Sequence, residues 1–226
     1  MGLGSYLIYI ALLLIIPMWA QAKVKSTYTK FSKRPTSSSM TGAEVARKIL
    51  DENGLYDVQI GQTKGTLTDH YDPRKKVIKL SEGIYHGRSM ASSAVAAHEV
   101  GHAIQDQQEY VFLKFRSALV PIANFGSNIS FFLIIAGMLM GAMNLFLFGI
   151  IFMSAAVLFQ LVTLPVEFDA SNRAMSQLVS AGVIRNNEER DTKKVLNAAA
   201  LTYVAAALVA VAELVRFILI YLASRE

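Results

Sequence analysis

The sequence predicts a mostly α membrane protein in which four transmembrane helices accompany a small α+β domain containing a β-hairpin or small sheet. Three observations predict it. The 226-residue chain is 53% hydrophobic, with a mean hydropathy of +0.38, more apolar than a soluble domain needs for its core. The excess is gathered into four runs, Leu3 to Trp19, Leu119 to Met140, Leu145 to Leu164 and Ala198 to Leu222, each about long enough to cross a hydrocarbon core at 1.5 Å per residue. Between the first two runs lies a polar stretch whose pattern switches from helical to strand-like and back.

Residues 1–20 read as an N-terminal transmembrane anchor. "AQA" at Ala20 to Ala22 also fits a signal-peptide cleavage site, which would invert the topology. "MGLGSY" lacks the usual basic residues, however, and Lys23, Lys25, Lys30, Lys33 and Arg34 just downstream resist translocation, so an uncleaved anchor is the preferred reading. Residues 21–40, basic and serine-rich, read as a linker or membrane-surface strap. Residues 41–116 form the polar domain. Thr41 and Glu44 make a capping box for a short amphipathic helix with Val45, Ile49 and Leu50 on one face and Gly54 at its end. "YDVQI" and "GTLTDHY" are strand-like, "DPRK" is turn chemistry and "KVIKLS" is the returning strand, so a hairpin is expected, followed by a loop at "EGIYHGR". Ser89 or Ser92 caps the next helix.

Residues 117–164 form a transmembrane hairpin, with Pro121, Asn124 and Asn128 weakening its first arm toward a partly interfacial helix, and Gly137 and Gly141 offering a small-residue packing face. Pro165 either breaks the third span or occupies the first turn of a new helix, which stops near Gly182. Residues 165–194 are then a polar helical segment, with Asn186 or Asn187 as the cap of the last helix, and residues 195–226 are the C-terminal span. There Glu213 and Arg216 form an i,i+3 pair or mark a polar path.

The net charge of +5 belongs to membrane orientation, and no nucleic-acid partner is expected. Twenty of the 22 Lys and Arg residues fall in residues 21–116 and 165–194, which four spans place on one side. By the positive-inside rule that side is cytoplasmic. The absence of cysteine removes disulfides and thiolate metal ligands alike.

Within "VAAHEVGHAIQDQQ" the chain places two of its four histidines four residues apart. On a helix, His98 and His102 then project about 40° apart and can share one metal ion, while Glu99 stands beside that face, free to act as a base. Gly101 lets another element approach closely. Imidazole suits Zn²⁺, and with no cysteine the third ligand is expected to be a carboxylate on a second helix. "PVEFDASNRA" supplies Glu167, which two intervening spans return to the same side, with Asp169 as the alternative ligand.

"DHYDPRKKVIKLSEGIY", "VAAHEVGHAIQ", "PVEFDASNRA" and "VLNAAALTYVAAALVA", in that order, resemble the YugP-type neutral zinc metallopeptidases of bacterial membranes. They are distantly similar to HtpX-like and CAAX-prenyl membrane proteases. The resemblance implies a zincin-like fold, His98, His102 and Glu167 as zinc ligands, and Glu99 as the catalytic base that activates zinc-bound water. In the HtpX-like proteases an aspartate follows the ligand glutamate by four residues; here that position is Ser171, with Asp169 nearer. The expected activity is a zinc endopeptidase acting on protein or peptide substrates, in a multi-pass cell-membrane protein embedded in the lipid bilayer with its site on the cytoplasmic side. The alternative is a non-catalytic zinc-binding membrane scaffold. "VIKL" is expected to offer an edge to an extended substrate, and His70, Tyr71, Tyr85, His86 and Arg173 are candidates for stabilising an oxyanion.

Overall fold

The computed structural model describes residues 3–224, and in chain order its elements are α1 (Leu3–Phe31), α2 (Gly42–Glu52), β1 (Gln59–Thr63), β2 (His70–Asp72), β3 (Val77–Ser81), α3 (Glu82–Tyr85), α4 (Met90–Gln107), α5 (Val111–Met140), α6 (Met143–Ser180) and α7 (Asn186–Ala223). This is a mostly α membrane protein with a small three-stranded sheet. The helices α1, α5, α6 and α7 are long and apolar enough to cross a membrane. The chain forms two compact units, one built from residues up to Met18 with Val111–Pro165 and the chain from Tyr203, the other from Trp19–Tyr110 with Val166–Thr202.

In the first unit, Ile134, Phe146 and Ile150 make a small core with Met153, Leu214, Phe217 and Ile220 packed against it. Gly137 belongs to a packing face, since a Cβ there would stand 2.5 Å from the Phe146 nitrogen. Gly141 has a different job. Its φ of +63° lets α5 end in a tight turn in which Ala142 N–H donates to the Gly137 carbonyl at 2.9 Å. Pro121 lies inside α5 without ending it, and Asn128 donates back to the Asn124 carbonyl at 2.9 Å, so its amide is satisfied within the helix. Glu213 and Arg216 form the i,i+3 pair at 2.9 Å, and Tyr9 donates to the same carboxylate at 2.9 Å.

The second unit has one apolar core, in which α2 contributes Val45, Ala46, Ile49 and Leu50, the sheet Ile78 and Leu80, and α4 its many small side chains. The capping box forms as the sequence predicts, Thr41 accepting from the Glu44 amide and Glu44 from the Thr41 amide.

Elsewhere the structure corrects the sequence reading. The stretch expected as a linker from residue 21 is helical as far as Phe31. Its polar residues do not oppose a helix, no proline intervenes before Pro35, and Ala20 and Phe31 are both buried. The expected hairpin exists between β2 and β3, but β1 pairs with β3 in parallel, giving the order β1-β3-β2. Only His70 and Tyr71 of "GTLTDHY" become strand, because Gly65 and Leu67 turn the chain at φ +101° and +58°. "VIKL" is therefore the central strand and offers no free edge. "EGIY" is the single turn α3 rather than a loop. Pro165 neither breaks a helix nor starts one, since α6 runs through it; a proline ring removes one backbone donor, a loss that membrane helices tolerate. The start of α7 falls one residue earlier than an asparagine cap would place it, with Glu188 accepting from the Arg185 amide at 2.8 Å.

Candidate metal centre

Helix α4 is held at its start by Ser89, whose hydroxyl accepts from the Ser92 amide at 3.1 Å. Its small residues Ala91, Ala94, Ala96 and Ala97 sink it into the core. On the face toward α6, His98 and His102 lie with ring centroids 4.8 Å apart. Gly101 lies between them. A Cβ there would stand 2.6 Å from the Ala170 carbonyl oxygen on α6, so glycine is what allows the two helices to cross this closely. One turn before that crossing, α6 presents Glu167.

The Glu167 carboxylate reaches both imidazoles, Oε2 at 3.2 Å from His98 Nε2 and Oε1 at 3.7 Å from His102 Nε2. The three candidate ligand atoms all lie within 4.8 Å of one another, close enough to hold one metal ion. Tetrahedral zinc with ligand bonds of about 2.0–2.1 Å separates its donors by about 3.3 Å, and the two observed separations bracket that value. Glu167 is only 3% exposed, a burial that a lone carboxylate resists and a cation with two imidazoles offsets. The far nitrogens also suit ligation through Nε2: Ser171 Oγ stands 3.2 Å from His98 Nδ1, and Gln105 Oε1 stands 3.0 Å from His102 Nδ1. The donor set fits zinc.

Glu99 lies beside this set, and its side chain is buried. Burial pushes its carboxyl up to about 7, against the His98 charge and with the help of Glu167 and Asp69. A proton affinity in that range suits a group that must take and return a proton near neutral pH.

Of the remaining sequence candidates, Tyr71 donates to Asp106 at 2.9 Å, His86 Nε2 meets the Gln62 amide at 2.8 Å with Tyr85 edge-on to its ring, and Arg173 is bound to Asp169 and Gln108. These are engaged elsewhere. His70 is exposed, and its Nδ1 meets the Thr68 carbonyl at 2.9 Å. Asp169 does not join the ligand group; its Oδ2 accepts from the Gln105 amide at 2.7 Å. Sequence reasoning missed Gln105, although its place seven residues after His98 on the same helix face was a readable signal.

The unit with the small sheet sets two histidines and a glutamate where they could hold a metal ion, and the chain has four helices long and apolar enough to cross a membrane. The chain belongs to the family described as "Putative neutral zinc metallopeptidase", which it matches over residues 6–222. It is 56% identical over 211 residues, 93% of this chain and 94% of the relative, to the protein of Bacillus subtilis (strain 168) named "Putative membrane protease YugP". No solved structure matches it.

Proposed function

We propose that this protein is a membrane-anchored zinc endopeptidase that hydrolyses peptide bonds of protein or peptide substrates at the cytoplasmic face of the cell membrane. His98, His102 and Glu167 hold the metal and Glu99 is the catalytic base. The observation that carries the reading is geometric: His98, His102 and Glu167 offer ligand atoms within 4.8 Å of one another, and the buried Glu99 follows His98 on the same helix. When bound there, zinc supplies a Lewis acid that polarises a carbonyl and brings the pKa of water from 15.7 down to about 7. Glu99 takes a proton from the attacking water on a carboxylate oxygen and delivers it to the leaving nitrogen, so no covalent intermediate is needed. The two imidazoles and Glu167 hold their donor atoms converged, and burial of the group limits competing water. An extended substrate adds to the sheet at β2, which pairs only with β3 among the described residues and begins with His70. The cytoplasmic orientation rests on the distribution of basic residues.

The test compares Glu99→Gln and Glu167→Gln with the parent, by zinc content and by cleavage of an unfolded model polypeptide. Glu99→Gln keeps its zinc and loses about 10²-fold to 10⁴-fold in rate; Glu167→Gln loses zinc and activity together. A Glu99→Gln protein that cleaves as fast as the parent refutes the catalytic assignment, and a parent that binds zinc but cleaves nothing leaves the scaffold reading.

A further inference from the structure

Gln105 is a glutamine with no solvent exposure, and its amide is engaged at every hydrogen. Its Nε2 donates to the Val166 carbonyl at 2.9 Å and to Asp169 Oδ2 at 2.7 Å. Both of those partners are acceptors, which fixes which end of the amide is nitrogen. Oε1 therefore faces His102 Nδ1 at 3.0 Å as an acceptor, and the only way to satisfy that contact is a proton on Nδ1. With Nδ1 protonated and Nε2 turned toward Glu167, His102 presents its lone pair where a metal sits. Asp169 is held in turn by Arg173, whose other end donates to Gln108 at 2.6 Å, so the chain of contacts closes back on α4.

We propose that Gln105 is the positioning residue of the metal centre, setting the tautomer and ring plane of His102 while fastening α4 to the backbone of α6 immediately before Glu167. This rests on the zinc reading above and goes beyond it in assigning a role to a residue that touches neither metal nor substrate. Asp169 and Arg173 orient the glutamine rather than acting on substrate. The support is the same in kind as that given by a carboxylate, but it comes through a neutral amide, which leaves the charge at the metal that of two imidazoles and one carboxylate.

The experiment measures zinc affinity of the detergent-purified full chain by competition with a chelator, together with ¹⁵N spectra of the zinc-loaded protein labelled at its four histidines. Gln105→Leu removes the acceptor, and its zinc affinity is expected to fall about 10-fold to 100-fold. In the parent spectra, His102 is expected to bind through Nε2 and to carry a hydrogen-bonded proton on Nδ1. Coordination through Nδ1, or parental affinity in Gln105→Leu, overturns the assignment. The spectrum of the parent decides the matter even where a variant does not fold. Failure of the parent itself to bind zinc is a different result, and it removes the metallopeptidase reading before the role of Gln105 arises.

Discussion

Gly101→Ala tests whether the helix crossing sets the spacing of the metal ligands. The added Cβ would stand 2.6 Å from the Ala170 carbonyl oxygen and 3.2 Å from its carbonyl carbon and Cα. That oxygen contact is about 0.8 Å short of the 3.4 Å at which ordinary contact begins. The obstacle is backbone, so no rotamer change relieves it and α4 and α6 must separate. Overpacking of this kind costs about 1–3 kcal/mol, partly offset by about 1 kcal/mol from the better helix propensity of alanine. The net effect on stability is therefore modest. The effect on the metal is larger, because a shift of most of an ångström at Ala170 carries over to Glu167, three residues away on the same rigid helix, and metal distances are held within about 0.2 Å. Zinc affinity should fall at least about tenfold, which is about 1.4 kcal/mol, while the melting temperature changes by only a few degrees. Both are read on purified protein, by chelator competition and by thermal unfolding. A Gly101→Ala variant that binds zinc as tightly as the parent would show that the close crossing is not what positions Glu167.

Three further outcomes are expected. Ser93 Oγ is buried without a hydrogen-bond partner, an arrangement that costs about 1–3 kcal/mol, so Ser93→Ala should raise the melting temperature; a lower one would mean that the hydroxyl is satisfied. Asp69 is held above the usual carboxylate range by burial, despite accepting from the Ser81 amide and hydroxyl. Its folded pKa exceeds the unfolded one, so the folded state holds the proton more readily and stability falls as pH rises through the window above 3.8. Asp69→Asn should then be stabilising at pH 7 and neutral below about pH 4, as unfolding at the two pH values will show. Because the chain has no cysteine, single cysteines at Lys64 and Ser180 can report orientation in intact cells, and both should resist an impermeant thiol reagent; labelling of either from outside contradicts the proposed topology.

The parts of the fold that could be read from sequence are those whose cause is local. The Thr41 and Glu44 capping box acts within four residues, and the apolar spans declare themselves by length. Where the outcome depends on distant packing, local signals misled. Polar residues after Trp19 looked like a strap, yet the helix continues because Ala20 and Phe31 find burial. Pro165 looked like a boundary, yet α6 passes through it because losing one donor does not outweigh the contacts on both sides. The parallel pairing of β1 with β3 could not be seen in "YDVQI", of which only Gln59 and Ile60 enter the strand, since the same alternation serves either edge and either direction.

The His98, His102 and Glu167 cluster was legible for a related reason and its surroundings were not for the opposite one. His98, Gly101, His102 and Gln105 follow the i, i+3, i+4, i+7 spacing of one helix face, as do Glu167, Ala170, Ser171 and Ala174 on α6. The two stripes meet along the crossing: Gly101 lies against Ala170, His98 against Ser171 and Glu167, and Gln105 against Val166 and Asp169. The histidines announce themselves because imidazoles at that spacing are rare, whereas Gln105 opens the polar run "QDQQ" and has the look of a surface residue until the second helix covers it. On the proposed reading, the carboxylate that supports the centre is Asp169, acting through Gln105 on His102, while His98 meets the Ser171 hydroxyl. Each stripe thus has a small member where the backbones touch, Gly101 on one and Ala170 on the other, and polar members on either side of that contact, so the spacing that lets the helices approach is the spacing that brings His98, His102 and Glu167 together.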